Sequence, residues 1–185
     1  TPTGIPFGEL TPGNLSLLDE TGALVSGPKA TKEAPFHLAW YKANPDHLAV
    51  VHLHSPWAVA VSCLADLDPG NPLPPLTPYQ LMRCGATALV PYFRPGDPAV
   101  ADAIRALEGR HTSILLANHG PVVSGDSLEA AVFNCEELEE SARLYMILRE
   151  THARFMTRAQ VEDVARTFRP DLPVSRFVCS DGADN

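Results

Sequence analysis

The sequence predicts an α/β protein in which helices flank a mainly antiparallel or mixed sheet. Three observations carry this. Short apolar runs with strand character lie at 48–53, near 87–92 and at 112–125. Between and after them stand longer segments with helical spacing, the last from 126 onward. No internal repeat or low-complexity stretch interrupts the pattern, and 185 residues suit one domain over 1–185 with a sizeable core.

The elements follow in order. Residues 1–30 are rich in Pro, Gly and Thr, and "GALVSG" reads as a hairpin strand beside turn residues. "KEAPFHLAWYKANP" spaces Phe36, Leu38, Ala39 and Tyr41 for a helix of about three turns that stops at Asn44-Pro45. A strand over 48–53 and a helix over about 55–64 come next, then "DLDPGNPLPPLTP", an irregular proline-rich loop. A short segment leads to a strand near "TALVPY". "DPAVADAIRALEG" is an amphipathic helix with Asp97 as N-cap and Gly109 past its end. "TSILLANHG" is a buried strand and "PVVSG" a brief one. The longest helix spans roughly 126–150, capped by Asp126, and another covers about 157–167. The tail from Pro170 reads as loose. The opening "TPTGIPFGEL" reads as the interior of something longer, so a further N-terminal segment is expected.

Composition narrows the function. Fourteen basic against 22 acidic residues leave a net charge of −8, which repels nucleic acid, and no basic stripe appears. No apolar run approaches the roughly 20 residues of a membrane helix. Cys63, Cys84, Cys135 and Cys179 are dispersed without a CxxC pair. They read as idle thiols of a reducing, cytoplasmic setting rather than a disulfide framework or zinc knuckle.

The chemistry gathers on histidine. In "AVVHLHS" an apolar strand finishes on His52 and His54, spaced i, i+2 and so on one strand face, where two imidazoles can reach one ion. By itself the pair serves equally well as two polar residues closing a strand. A second apolar strand, "LLANHG", also ends on a histidine, His119. Adjacent strand ends are where α/β sheets bind ligands, and three histidines with open positions fit a catalytic divalent metal: zinc, with manganese, cobalt and iron not excluded. His37, His47, His111 and His152 lack a partner motif and read as ordinary. Glu33, in the first turn of a helix, is by position alone an acid favoured by the helix dipole. A general base or a fourth, labile ligand is the alternative.

Five pieces in order, "TPTG" at 1–4, "TKEAPFH" at 31–37, "AVVHLHS" at 49–55, "TPY" at 77–79 and "LLANHGPVVSG" at 115–125, make the chain resemble the class II aldolase/adducin family. The resemblance covers nearly the whole chain. It implies a three-layer α/β/α fold, a zinc-type metal on His52, His54 and His119, and Glu33 as acid/base. It also implies a homotetramer with active sites between subunits, to which Tyr79 would be lent as proton donor by a neighbour. Two features depart from the family pattern. The helix and Gly-Asn-Ser phosphate loop that family members carry before "TPTG" are not present in the sequence; "GNLS" at 13–16 imitates the loop but falls after "TPTG" and reads as a decoy. Thr3 and Gly4 match the remaining part of the phosphate pocket. The pair before the acid is Thr31-Lys32, where sugar-phosphate aldolases tend to have small hydroxyl residues. Lysine there resembles the 3-oxo-tetronate 4-phosphate decarboxylase branch.

Aldol cleavage and decarboxylation of a β-keto acid make the same demand: both leave electrons on the carbon beside a carbonyl, and a divalent ion can stabilise them as an enediolate. Decarboxylation of a 3-oxo-tetronate 4-phosphate would yield dihydroxyacetone phosphate. Glu33 and Tyr79 are the candidates for proton transfer. Lys32 is either a point charge for phosphate or carboxylate or a solvated lysine at a helix start. The alternatives are a fuculose- or ribulose-phosphate type aldolase, a methylthioribulose-phosphate dehydratase and a non-catalytic adducin-like module. The last has no need of the metal ligands.

Overall fold

A computed structural model describes residues 1–177 and 179. They divide into two compact units, Thr1–Pro45 with Phe93–Glu108, and Asp46–Tyr92 with the described residues from Gly109 onward.

In the first unit a two-stranded antiparallel hairpin joins β1 (Leu17–Leu18) to β2 (Leu24–Ser26), as the strand-like "GALVSG" beside turn residues predicts. The Asp19 carboxylate organises the turn, accepting from the Thr21 and Ala23 amides and the Thr21 hydroxyl. Helix α1 (Ala34–Ala43) buries Phe36, Ala39 and Trp40, an i, i+3, i+4 stripe. It packs against α4 (Ala99–Arg105), which buries Val100, Ala101 and Ile104, an i, i+1, i+4 stripe. The cap of α4 corrects the expectation by one residue: Pro98 is the N-cap, while the Asp97 carboxylate accepts the Ala99 amide at 3.0 Å.

In the second unit β3 (Ala49–His52), β4 (Ala88–Val90), β5 (Ser113–Leu116) and β6 (Gly120–Gly125) form one sheet in the order β3-β6-β5-β4. The β3–β6 and β6–β5 pairs are antiparallel and β5–β4 is parallel, so the sheet is mixed. Helix α5 (Leu128–Leu148) and helix α2 (Pro56–Ser62) both contact β6 and each other. Ala58, Val61, Leu115, Val123, Cys135, Leu138 and Ala142 form the common core. The cap of α5 is Ser127, whose hydroxyl accepts the Ala130 amide at 3.1 Å, and not Asp126. A hydroxyl and a carboxylate side by side are equally good caps in sequence; the backbone turn decides between them.

Two segments are more ordered than the sequence predicts. "TPYQLMR" forms helix α3 (Pro78–Arg83), with the Thr77 hydroxyl accepting the Gln80 amide and Pro78 at the first position. The buried Gln80 amide group then ties down the proline-rich loop, accepting from Leu76 N–H and donating to the Pro74 carbonyl. The chain after helix α6 (Arg158–Phe168) is not loose up to Phe177. Leu172 and Phe177 are buried against Leu81, Val161 and Ala165, and Arg158 donates to the carbonyls of Val174 and Phe177. Two apolar anchors suffice to dock a stretch that proline and aspartate make look disordered. The end of the tail expectation, at 178 and 180–185, lies outside the described residues.

Candidate metal centre

The pairing register of β3 with β6 sets the first histidine: His52 stands opposite Val122 and is the last paired residue of its strand. The Pro121 carbonyl accepts the His52 Nδ1–H at 2.8 Å. That bond fixes the tautomer, so Nε2 carries the lone pair a metal requires. Strand pairing ends before His54, so strand alternation alone does not align the two rings. His54 sits two residues on, where the chain enters α2 at Ser55-Pro56.

The third histidine comes from the turn between β5 and β6. Leu116 pairs with Gly120, leaving a three-residue connection, Ala117-Asn118-His119. Asn118 takes φ 56°, a left-handed conformation that asparagine tolerates. Its amide donates to the Ser62 carbonyl at 3.0 Å, and the His119 amide to Leu116 at 3.1 Å. Gly120 has φ 149°, and a Cβ there would meet the Leu53 carbonyl oxygen at 2.6 Å. Only glycine lets the His119 turn come so close to the chain carrying His54.

These constraints converge the three rings. Their centroids stand 5.2 Å apart for His52–His54, 4.8 Å for His52–His119 and 4.9 Å for His54–His119. One ligand nitrogen from each lies within 4.8 Å of the others, the one such group among the described residues. The Nε2 atoms of His54 and His119 are 3.0 Å apart. Tetrahedral ligands about 2.0–2.1 Å from one zinc ion stand about 3.3–3.4 Å apart, so this pair is near chelating distance. His54 is exposed, leaving the group open to solvent on that side. Three imidazole donors fit a borderline divalent ion with open positions and leave its charge uncompensated.

The remaining candidates fall in both units. Glu33 is the N-cap of α1 with helical dihedrals and makes no side-chain cap bond there. The segment leading into Gly4 pairs with the one leading into Lys32: Thr3 N–H donates to Lys29 O, Thr3 Oγ1 to Ala30 O and Thr31 N–H to Thr1 O. The Thr31 hydroxyl accepts the Glu33 amide at 3.3 Å, and the exposed Lys32 lies with its stem beside Gly96. Tyr79, in the first turn of α3, is 63% exposed. Asn14 of "GNLS" engages its amide group within the chain, accepting from Thr11 N–H and donating to Glu9 O. His111 and His47 are structural: His111 Nδ1–H donates to Ala86 O, and His47 bonds Ser124. All four cysteines are free thiols; burial pushes Cys135 up to about 11 and Cys84 higher still.

Comparison with known proteins places this geometry. The model of the family described as "Class II Aldolase and Adducin N-terminal domain" matches residues 1–146. The chain belongs to that family. It is 49% identical to the 3-oxo-tetronate 4-phosphate decarboxylase of Haemophilus influenzae (strain KW20/Rd), covering 89% of this chain and 78% of that one. It is 48% identical to the protein of the same name from Escherichia coli K12, over 89% and 77%. L-fuculose phosphate aldolase of E. coli K12 is more distant, at 31% over 79% and 66%. Among solved structures, YgbL of Klebsiella pneumoniae superposes with a TM-score of 0.86 at 48% identity, covering 89% of this chain and 79% of that one. An L-fuculose 1-phosphate aldolase gives 0.79 at 28%, over 91% and 78%. The fold is therefore that of the class II aldolases, as the ordered motifs imply. No helix of the described residues is long and apolar enough to cross a membrane.

Proposed function

We propose that the chain is a carbon–carbon lyase that decarboxylates a 3-oxo-tetronate 4-phosphate to dihydroxyacetone phosphate and CO2. The observation that carries this reading is its 41–49% identity to five proteins named for that activity, sustained over 89–96% of the chain. The family match runs through residues of both units, so we read them as parts of one domain.

His52, His54 and His119 would hold the ion. Zinc suits three imidazoles best, with manganese or cobalt as substitutes. Bound there, the ion would supply positive charge to the ketone and neighbouring hydroxyl oxygens and so ease the build-up of negative charge on the carbon between ketone and carboxylate. Pro121 serves this role indirectly, by keeping His52 in the tautomer that presents Nε2. When the C1–C2 bond breaks, its electron pair stays on C2, which then needs a proton. The Glu33 carboxyl and the Tyr79 phenol are the donors assigned to it. Lys32 would hold the phosphate or the carboxylate as a point charge, and Thr3, Gly4 and Thr31, brought close by the pairing of segments 1–3 and 29–31, would line the phosphate end.

The exposure of Tyr79 supports a homotetramer in which it serves a neighbour's site. Light scattering checks this: a monodisperse monomer at working concentration rules it out. The dispersed free thiols support a cytoplasmic setting.

The test of the reaction is a substrate panel on the metal-loaded protein. CO2 with dihydroxyacetone phosphate from a 3-oxo-tetronate 4-phosphate supports the proposal. An aldehyde with dihydroxyacetone phosphate from a ketose 1-phosphate, with no CO2 from the keto acid, assigns the chain to the aldolases instead.

A further inference from the structure

Helix α2 begins immediately after His54, and its first turn is held in an unusual way. Ser55 occupies the N-cap with φ −67° and ψ 133°, the ordinary place for a hydroxyl to accept an amide of the first turn, yet it makes no cap bond. Its Oγ is buried without a hydrogen-bond partner among the described residues. The amides are taken instead by a carboxylate more than 80 residues away. Glu139 accepts Trp57 N–H through Oε1 at 2.9 Å and Ala58 N–H through Oε2 at 2.8 Å. Both oxygens are engaged, each bond is charge-assisted, and the negative charge sits at the positive end of the helix dipole.

Glu139 is anchored on α5, where its neighbour Leu138 and Ala142 one turn on are fully buried in the core. The far end of α2 is tied as well: the Ser62 carbonyl accepts the amide of Asn118, the residue before His119. A helix of seven residues, about 10 Å long, thus runs from the chain carrying His54 to the turn carrying His119, fixed at its start by Glu139 and at its end by Asn118.

We infer that Glu139 is a positioning residue for the metal ligands: by clamping the first turn of α2 to α5 it sets where His54 stands relative to His119. The inference rests on the reading of the three histidines as a metal centre. Glutamine cannot replace the carboxylate, since one oxygen would be lost and an NH2 group would face a backbone N–H. Aspartate keeps the charge but is one methylene too short to reach both amides.

The experiment measures cobalt(II) affinity by chelator competition, with the visible ligand-field bands of the bound ion as a second readout, for wild type, E139Q, E139D and E136Q. Glu136 is exposed on the same helix, so E136Q controls for loss of one charge. The expected result is about a 10–100-fold loss of affinity in E139Q with altered bands, a smaller loss in E139D, and no change in E136Q. Turnover of E139Q should recover with excess metal. Wild-type affinity and bands in E139Q overturn the role of Glu139 while leaving the metal centre intact. A wild-type protein that binds no cobalt overturns the metal centre itself, and the positioning role with it. If circular dichroism shows E139Q unfolded, E139D decides: an unchanged spectrum and affinity there refute the inference.

Discussion

Gly120→Ala probes how the two ligand-bearing segments are held together. The added methyl carbon would stand 2.6 Å from the Leu53 carbonyl oxygen, 3.4 Å from Val59 Cγ2 and 3.6 Å from His54 Cα. Ordinary non-bonded contacts between carbons lie at about 3.5–4.0 Å. Backbone must therefore move, since the closest atom is no flexible side chain. Overpacking costs about 1–3 kcal/mol, and a non-glycine residue at φ 149° adds about 1–3 kcal/mol of strain. The sum is about 2–6 kcal/mol, and at about 2–4 °C per kcal/mol for a chain of this size the melting temperature should fall by about 4–24 °C. Because the displaced atoms flank His54, metal affinity should fall too, by about tenfold or more. Thermal denaturation and chelator competition on the same sample read both. A variant with wild-type melting and wild-type affinity would refute the claim that this glycine sets the approach of His119 to His54.

Three further predictions concern the chemistry and the pH response. Glu33→Gln keeps size but removes the carboxylate, so turnover should drop by about 10²–10⁴-fold while metal content by elemental analysis stays near wild type. Lys32→Ser should raise KM for the keto acid more than it lowers kcat and flatten the salt dependence of kcat/KM; unchanged kinetics return Lys32 to a solvated helix start. Burial lowers the basicity of His111 below the ordinary 6.5, helped by Arg176, whose guanidinium donates to His111 Nε2 at 2.7 Å, while the Ala86 carbonyl opposes the shift. The unfolded chain then binds the extra proton first, so stability should fall as pH drops from about 6.5 toward the lowered folded value. His111→Gln should flatten that stretch of the melting-temperature profile against wild type, and an unaltered slope would contradict it.

Much of this was legible in the residues because it is local. Two apolar runs ending on histidine are visible without a structure, and both mark strand-end positions that converge. The interleaved strands and helices gave the α/β class, and the strand-like "GALVSG" beside turn residues the hairpin. Caps missed by one residue, at Asp97–Pro98 and Asp126–Ser127, because neighbouring polar groups compete for the same amides. Helix α3 had a readable signal in Thr77-Pro78, hidden by four prolines just before it. The docking of Phe177 and the clamp from Glu139 were not readable: each depends on a partner far away in sequence. The Pro121 acceptor for His52 likewise follows only from strand register. The roles given to Glu33, Lys32 and Tyr79 rest on resemblance, since a helix-start acid, a helix-start lysine and an exposed tyrosine have no distinctive pattern of their own.

The central claim is tested most directly by following the carboxyl carbon. A 3-oxo-tetronate 4-phosphate labelled with carbon-13 at C1 is incubated in D2O with the metal-loaded protein, and the products are read by NMR. The account predicts that the label leaves as CO2 and bicarbonate, and that unlabelled dihydroxyacetone phosphate appears with one deuterium at the carbon that lost the carboxylate. Both signals should vanish in His52→Ala. Label retained in an organic fragment, or full activity without His52, would contradict it.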